Sequence, residues 1–406
     1  MFTPEPLKGR AFFVSPETQA RTARAERMFV HMESKAQEGA MGVALRRALA
    51  RLEAISTIRI EGKRPRVKAI LFLESVLDER TALTDEKLQS TDAFDFEGAN
   101  DREVAVEVVR YVQALEHIYR GDGARPFGVE ELLDIHSIVL YGKPANETGS
   151  TLRRSPFRLD SEVGAKAYAP PSPQRIPALV EDLCMFINRQ EYAPTAQSAI
   201  AHFQFESIKP FKSGMDKTGR LMCHAVLHRQ GLARSIIAPI GLEPAIDTKS
   251  HAELLMPYHF GKSVDGQNLG KHLNRWIEFC AWSEEVSIRT ADAFLDAMLR
   301  LKDAWYEELG RPNKGSAAMA LLTLLPGVPV LTASQAARLS GKSVTAVHDA
   351  FARLEAAGIV EVVETSQRNR VFSAPRAVAL FEELVNKLVP NDPVARNSFV
   401  PSFFIS

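Results

Sequence analysis

The sequence predicts a mainly α-helical fold with a small β-hairpin and a C-terminal winged helix-turn-helix. Three observations indicate this class. Apolar residues recur at three- and four-residue spacing through most of the chain, a polar stretch with a glycine interrupts them between Leu152 and Ala169, and two short strand patterns follow Gly358. Because the chain has 406 residues, it exceeds one ordinary domain, and we expect two or three.

The composition is that of a globular protein and argues against several classes of function. Hydrophobic residues make up 45% of the chain and charged residues 25%, and the formal net charge is zero. This balance gives no overall attraction to nucleic acid or membranes, so either partner would need a local patch. No apolar stretch is long enough to cross a bilayer, and no signal peptide is recognisable. The three cysteines, Cys184, Cys223 and Cys280, lack metal-ligand spacing, which favours a cytoplasmic protein.

Helical periodicity defines most elements before residue 310, and prolines separate them. The expected helices cover residues 17–55, 101–120, 128–140, 175–190, 196–208, 219–231 and 269–309. Between them, Arg158 to Tyr168 predicts a short hairpin with Gly164 near its turn.

A break at Gly310 to Gly315 precedes a segment with a different pattern. Three short helices are expected, the second capped by Thr332 or Ser334, with a turn at Gly341, and two strands then follow. This order is that of the winged helix-turn-helix. The predicted domains are an N-terminal helical region (1–100), a helical core (101–309), the winged helix (314–375), and a C-terminal helix and tail (376–406).

The most informative stretch runs from Phe205 to Met222. It predicts the end of one helix, a loop large enough to surround a phosphate group, and the start of a second helix. From Lys209 to Arg220 it resembles, without a gap, the Fic (Fido) signature H-P-F-x-[DE]-G-N-G-R-x-x-R. The matching positions are Pro210, Phe211, Gly214 and Arg220, and the departing ones are Lys209, Ser213, Met215, Asp216 and Lys217.

Two further stretches carry the resemblance. The first, Glu53 to Gly62, is similar to the family's inhibitory helix, patterned [ST]-x-x-x-E-[GN], with Thr57, Glu61 and Gly62 in those places. The second, Leu152 to Pro171, is similar to the flap hairpin that aligns a target protein, and it carries Arg158 and Tyr168. The resemblance implies a Fic helical core over most of residues 1–300, with an N-terminal inhibitory-type helix.

In the family, the motif histidine is the general base that activates a target hydroxyl, which attacks the α-phosphate of ATP and receives AMP. Here that position is Lys209, and a protonated lysine has no lone pair to accept a proton. Lys212 and Lys217 nearby would lower the pKa of Lys209 by like-charge repulsion. The alternative, which we favour, is that Lys209 is a cation at a helix C-terminus.

The other departures weaken the binding of nucleotide and metal. Ser213 replaces the acidic metal ligand, and a hydroxyl alone is a weak magnesium ligand. Met215 offers phosphate no useful hydrogen bond, while Asp216 repels phosphate and is expected to cap the next helix. We therefore predict no metal residues, with ATP as the expected ligand and magnesium poorly held. The expected anion-binding residues are Gly214, Lys217, Gly219 and Arg220.

The resemblance also implies an ion pair between Glu61 and Arg220. In family members with an inhibitory helix, this glutamate bridges to the second arginine and blocks the γ-phosphate. The alternative is that Glu61 lies on a helix face without such a role.

The winged helix carries residue types suited to phosphate and base contacts. The expected DNA-binding residues are Lys342, Ser343, Thr345, Arg368 and Arg370. Because Glu355, Glu361 and Glu364 offset this patch, strong electrostatic binding does not follow, and winged helices also act in protein docking or homodimerisation.

Three functions remain as alternatives. The preferred one is a degenerate Fic protein, impaired or inactive as an adenylyltransferase, that acts as a regulator through its winged helix. The second is an active ATP-dependent adenylyltransferase, or a related nucleotidyl or phosphoryl transferase, with an altered motif. The third is an adaptor that binds a target protein, with the flap hairpin as the expected docking element.

Overall fold

The computed structural model describes residues 4–35, 39–76, 99–120, 123–156, 170–246, 251, 254, 266–364 and 370–388. This part of the chain is mainly α-helical with one small antiparallel sheet, so the predicted mainly α-helical class is confirmed. The predicted hairpin at 158–168 lies outside the described residues, and the winged helix remains a prediction. The chain forms two compact units. The first combines residues 1–31, 110–234 and 247–287, and the second combines 32–109, 235–246 and 288–406. The predicted division into four parts remains a prediction.

The helices up to Arg229 lie close to the periodic segments of the sequence. They are α1 (Pro16–Lys35), α2 (Ala40–Ile60), α3 (Val67–Val76), α4 (Ala99–Tyr119), α5 (Val129–Tyr141), α6 (Ala145–Thr148), α7 (Ile176–Arg189), α8 (Pro194–Ile208) and α9 (Met215–Arg229). A 3-10 turn, Pro173–Arg175, leads into α7.

The remaining elements include the sheet. They are α10 (Leu242–Ile246), α11 (Gly266–Glu308), α12 (Ala317–Leu324), β1 (Val330–Thr332), α13 (Ala333–Ser340), α14 (Val344–Ala356), β2 (Glu361–Glu364), β3 (Val371–Ser373) and α15 (Pro375–Leu388). None of the helices in the described ranges has the length and apolar character needed to span a bilayer.

Two expectations for the N-terminal region differ from the structure. The segment 17–55 contains two helices rather than one continuous pattern, and α2 begins after Gly39, whose φ of 85° interrupts a right-handed helix. The helix α3 was not expected from the sequence. Seven of its ten residues are buried, so it shows only a weak alternation of the apolar and polar faces by which amphipathic helices are recognised.

In the first unit, α8 is the central helix, and it is buried from Thr195 to Ile208. A neighbouring helix fixes its backbone, because the indole of Trp276 donates a hydrogen bond to the carbonyl of Ala199 at 2.9 Å. The helix α9 packs against α8 through a close approach at Gly219. The loop between these two helices is thus held at both ends by a packed core.

The C-terminal part of the second unit has the element order α12, β1, α13, α14, β2, β3, with strand order β1-β3-β2. Thr332 caps α13, and its side chain and that of Gln335 form a reciprocal capping box. Gly341 (φ 66°) ends α13 in the left-handed conformation, and Phe351 of α14 stacks on Phe372 of β3 at 3.9 Å. Of the two caps left open by the sequence, the structure therefore uses Thr332.

Candidate functional site

The loop of interest joins α8 to α9 and starts at Lys209. This residue follows the last residue of α8 and has φ 49° and ψ 62°, the left-handed conformation that most residues other than glycine avoid. Its N–H donates to the carbonyl of Phe205 at 3.0 Å, which closes the end of the helix. The turn at Lys209 redirects the chain into Pro210 and Phe211, which are both buried.

Arg153 holds this turn from a distant part of the sequence. Its Nε donates to the carbonyl of Lys209 at 2.7 Å, and its backbone N–H donates to the carbonyl of Pro210 at 2.9 Å. The same guanidinium donates to the carbonyls of Ser155 at 3.2 Å and Pro171 at 2.6 Å. Arg153 therefore binds the loop and also Ser155 and Pro171, which lie on either side of the predicted hairpin.

The side chain of Lys209 is directed into the protein, where its ammonium pairs with Glu206. Lys209 is 8% exposed and Glu206 is 2% exposed. Lys209 comes three positions after Glu206, directly beyond the end of α8, which brings its ammonium back to the carboxylate in the last turn. The position that the family signature gives to a catalytic histidine is thus one half of a buried ion pair.

The electrostatic environment keeps Lys209 protonated. Burial lowers the pKa of this lysine, but the carboxylates of Glu206 and Asp216 raise it by more, so its pKa lies above the usual range. The expectation that Lys212 and Lys217 would lower this pKa is therefore wrong. The two acids dominate because Glu206 contacts the ammonium directly, whereas Lys212 is exposed to water.

The second half of the loop forms the start of α9, which begins four residues earlier than predicted. Gly214 (φ 65°) is the N-cap, and the backbone and hydroxyl of Thr218 both donate to its carbonyl, at 3.0 and 2.8 Å. A Cβ at Gly214 would lie 2.9 Å from a methyl group of Leu140, and together with the positive φ this disfavours any other residue there. Met215 is buried and its sulfur accepts the N–H of Phe211 at 3.4 Å. Apolar packing of Met215 thus replaces the polar function of an asparagine.

The prediction that Asp216 caps α9 is wrong. Because Gly214 occupies the N-cap, Asp216 is the second residue of the helix, where it makes no capping hydrogen bond and is exposed. A carboxylate in the first turn still complements the positive end of the helix dipole.

His136 of α5 supports the loop from the other side. Its ring stacks on Phe211 with centroids 3.7 Å apart. Because the carbonyl of Ser213 can only accept, His136 Nε2 donates to it at 3.1 Å, and Nδ1 is left to accept from the hydroxyl of Ser150 at 3.0 Å. Burial lowers the pKa of His136 to about 4, so the ring is neutral at neutral pH.

The remaining predicted anion-binding residues lie on α9 and are largely enclosed. Lys217 is 7% exposed and Arg220 is 3% exposed. A Cβ at Gly219 would lie 3.0 Å from both Glu206 Oε1 and His202 Nε2. Gly219 therefore permits the close approach of α9 to the buried polar face of α8.

The three inhibitory-type residues lie at the C-terminal end of α2. Thr57 is fully buried and donates to Glu53 Oε1 at 3.3 Å, while Glu53 Oε2 accepts the N–H of Gly241 at 2.6 Å. Gly62 (φ 80°) follows the helix, and Glu61 Oε2 lies 3.8 Å from the ammonium of Lys63. Thr57 and Gly62 thus have structural roles within the second unit. Glu61 and Arg220 belong to different units, and their pairing remains a prediction.

The structure also locates most of the predicted DNA-binding residues. Ser343 is the N-cap of α14, and its hydroxyl accepts the N–H of Ala346 at 3.3 Å. The ammonium of Lys342 donates to the carbonyl of Gly315 at 2.9 Å. Thr345 and Arg370 are exposed. Arg368 lies outside the described residues, as do the flap residues Arg158 and Tyr168.

Three residues of the site were not identified from the sequence as site residues. Glu206 could have been found, because it lies three positions before Lys209, in the last turn of α8. Arg153 and His136 could not, because their contacts with the loop depend on how distant helices pack.

Comparison with known proteins gives a family for this region. Residues 126–227 match the family model described as the Fic/DOC family. The protein adenylyltransferase Fic of Aedes aegypti is 29% identical over 112 residues, which make up 27% of this chain and 21% of that relative. The chain thus matches only about a fifth of that relative's length.

Solved structures of similar fold have low sequence identity to this chain. A Fic family protein from Desulfovibrio desulfuricans G20 has 16% identity and a TM-score of 0.47, and the match covers 89% of this chain and 97% of that one. A Fic domain containing signaling protein from Bacteroides thetaiotaomicron VPI-5482 has 16% identity and a TM-score of 0.44, with 67% and 97% covered.

Proposed function

We propose that this chain, whose residues 126–227 match the Fic/DOC family model, is a Fic-type protein that retains the family scaffold but does not transfer AMP. One observation carries the proposal: the residue at the histidine position, Lys209, is a buried cation paired with Glu206. A general base must present a lone pair to the substrate hydroxyl, and this ammonium presents none.

The energies involved argue against a hidden catalytic role for Lys209. An ordinary lysine at pH 7 already costs about 5 kcal/mol to deprotonate, and the neighbouring acids raise this pKa further. Loss of the ammonium charge would also leave Glu206 in a buried site without its partner cation. Each change opposes base catalysis, so we expect a loss of transfer chemistry rather than a slower version of it.

The start of α9 is poorly suited to a nucleoside triphosphate. The N-terminus of a helix normally attracts phosphate, but the exposed carboxylate of Asp216 lies in this first turn and repels it. Ser213 supplies a hydroxyl where the family signature has a carboxylate for the metal. We therefore expect weak ATP binding that magnesium does not strengthen, which isothermal calorimetry with and without the ion would measure.

The experiment that tests this proposal is labelling of the full chain by ATP that carries the label on its α-phosphate. The unaltered chain is expected to remain unlabelled, and Lys209→His alone should not restore labelling, because Ser213, Met215 and Asp216 remain. A variant with the signature residue restored at all five departing positions, Lys209, Ser213, Met215, Asp216 and Lys217, is the matched comparison, and thermal melting of each variant checks its folding. Labelling of the unaltered chain that disappears in Lys209→Ala would overturn the proposal.

The segment 314–375 supports a second candidate function, a regulator that binds DNA. We propose that this segment is a winged helix-turn-helix. Its element order and its strand order β1-β3-β2 support this proposal, as does the exposure of Thr345, His348 and Arg370. These three side chains are of the types that contact bases and phosphates.

A gel shift with the full chain and the DNA upstream of its own gene tests the regulator function. We expect a complex that survives competitor DNA, and weaker binding by the double variant Thr345→Ala/Arg370→Ala. A duplex of equal length and base composition in scrambled order is the control. Equal binding of both duplexes, or of neither, would favour the adaptor function instead.

The inhibitory interpretation of Glu61 belongs to the same proposal and can be tested through ligand affinity alone. We expect Glu61→Gly to raise the affinity for ATP, because a carboxylate that competes with the γ-phosphate is removed. Glu107→Gln is the control, because Glu107 also contacts Lys63, at 2.5 Å, and lies outside the motif. Equal ATP affinity of Glu61→Gly and the unaltered chain would contradict this interpretation.

A further inference from the structure

A cluster of three potential metal ligands lies in the first unit, away from the α8–α9 loop. His117 comes from the last turn of α4, and Glu131 and Asp134 come from α5. One ligand atom of each residue lies within 4.8 Å of the others. The three side chains are partly buried, so they are held by the fold and still reachable from solvent.

The local geometry is close to that of a metal site with nitrogen and oxygen ligands. His117 Nε2 lies 3.2 Å from Glu131 Oε1, whereas two ligands of a tetrahedral zinc ion are about 3.4 Å apart for bonds of about 2.1 Å. Glu131 and Asp134 are three residues apart, which places both carboxylates on one face of α5. The three ligand atoms lie within 4.8 Å of one another, so the third ligand must move closer for all three to bind one ion.

Asp134 is further oriented by a second contact. Its Oδ1 accepts the backbone N–H of Ala145 at 2.7 Å, at the start of α6. Because this hydrogen bond holds Oδ1 of Asp134, the other carboxylate oxygen can bind a metal ion. Groups around metal sites commonly orient the metal-binding side chains in this way.

Charged groups on both sides of the cluster are placed by the fold. The carboxylates of Glu131 and Asp134 lie close to the imidazole of His117. The nearby guanidinium of Arg120 lies 3.6 Å from Glu116, which offsets its charge.

We propose that His117, Glu131 and Asp134 bind a divalent transition-metal ion, with Zn²⁺ the best match. One imidazole and two carboxylates are a donor set of intermediate softness, which suits Zn²⁺ better than Mg²⁺ or Ca²⁺. Three protein ligands leave a fourth position for water. The ion would link the end of α4 to α5, the helix that also carries His136.

Zinc titration of the purified, chelator-treated full chain tests this site. With a chromogenic chelator as competitor, we expect one equivalent of Zn²⁺ to bind with a Kd below about 10 μM. The variants His117→Gln, Glu131→Gln and Asp134→Asn should each weaken binding by about a hundredfold or more, because each removes a ligand. Co²⁺ substitution should give visible absorption bands in the unaltered chain that each variant loses.

Two matched variants control for surface binding and for changes of charge. Glu130→Gln alters an exposed acid next to Glu131 in the same helical turn, and His348→Gln alters an exposed histidine in the other unit. Both should bind Zn²⁺ like the unaltered chain. In addition, Zn²⁺ should raise the melting temperature of the unaltered chain but not that of His117→Gln.

Two outcomes would overturn the proposal. The first is Zn²⁺ binding only at about millimolar concentration, which is typical of scattered surface groups. The second is unchanged binding by His117→Gln and Glu131→Gln. In either case, the three residues form an ion-pair network that serves only to hold α4 against α5.

Discussion

Two of the helix pairs joined by short turns, α8–α9 and α13–α14, differ in where they place their polar residues. In the first pair the chain reverses at Lys209 (φ 49°), and in the second it reverses at Gly341 (φ 66°). Glycine adopts this conformation without steric conflict, whereas lysine is disfavoured there by about 1 kcal/mol or more. Lys209 is nevertheless held, because both its carbonyl and its ammonium make buried contacts.

This difference separates structural residues from those available to a partner. Around the α8–α9 turn, most residues at reactive family positions are buried, namely Lys209, Met215, Lys217 and Arg220, although Ser213 and Asp216 are exposed. At the start of α14, by contrast, Thr345 and His348 remain exposed. We infer that the first pair of helices now contributes stability, while the second retains the surface from which binding is expected. The predictions that follow test this contrast, beginning with the largest expected effect.

The largest effect is expected from Glu206→Ala. It removes the carboxylate that pairs with Lys209 and leaves an ammonium buried in a site 8% exposed. Removing one member of a buried pair typically lowers the free energy of unfolding by about 3–5 kcal/mol. The shift of the urea midpoint for unfolding measures this loss. A shift no larger than that of an exposed substitution would show that the pair has no structural role.

The pair can be separated from simple loss of volume by a double variant. Glu206→Gln/Lys209→Met removes both charges, so we expect it to be more stable than either single variant. In Lys209→Met alone, Glu206 remains buried without the ammonium that contacts it, and burial raises the pKa of this acid. An acid whose pKa is raised in the folded state favours the folded form while it is protonated. This contribution to stability is fully present below the acid's ordinary pKa and is lost as the pH rises and the acid ionises. Lys209→Met should therefore be more stable at pH 5 than at pH 8, relative to the unaltered chain.

A second effect is expected where α9 crosses α8. Gly219→Ala places a Cβ 3.0 Å from Glu206 Oε1 and His202 Nε2, which are themselves buried. Because both neighbours lie within a packed core, we expect this added methyl group to lower the free energy of unfolding by about 1–3 kcal/mol. Gly270→Ala is the matched control in α11, since nothing lies within 4 Å of its added Cβ, and it should be neutral or stabilising by up to about 1 kcal/mol. Equal effects of the two variants would contradict the close crossing.

These predictions depend on contacts that the sequence reveals only in part. The ends of α4, α5, α7 and α8 follow from apolar spacing and prolines, because one periodic face is enough to define a helix. The start of α9 could not be predicted in this way, because Asp216 is a residue type typical of an N-cap. In the structure the helix has already begun at Met215, which is buried. Arg153 binds Lys209 across 56 positions of the chain, and no local pattern encodes such a contact.

A smaller effect is expected at the start of α13. Thr332→Ala removes the hydroxyl that accepts the N–H of Gln335 at 3.3 Å and opens the capping box, which should lower the free energy of unfolding by about 1 kcal/mol. Ser334 is the other residue that the sequence offered as a cap, and it lies inside the helix and is exposed. Ser334→Ala should therefore change stability by less than about 0.5 kcal/mol. The reverse order of the two losses would assign the cap to Ser334.

The smallest effect on stability, and the most informative for function, is expected from Thr345→Ala. Thr345 is exposed in the first turn of α14, so its removal should change the free energy of unfolding by less than about 0.5 kcal/mol. If α14 contacts bases, however, loss of one such contact should weaken specific DNA binding by about 1 kcal/mol, or about fivefold. Thr151→Ala, an exposed threonine in the first unit, is the control and should change neither quantity. If the unaltered chain binds the DNA and Thr345→Ala binds it equally well, this face of α14 does not contact the DNA. The proposed difference in function between the two helix pairs would then be wrong.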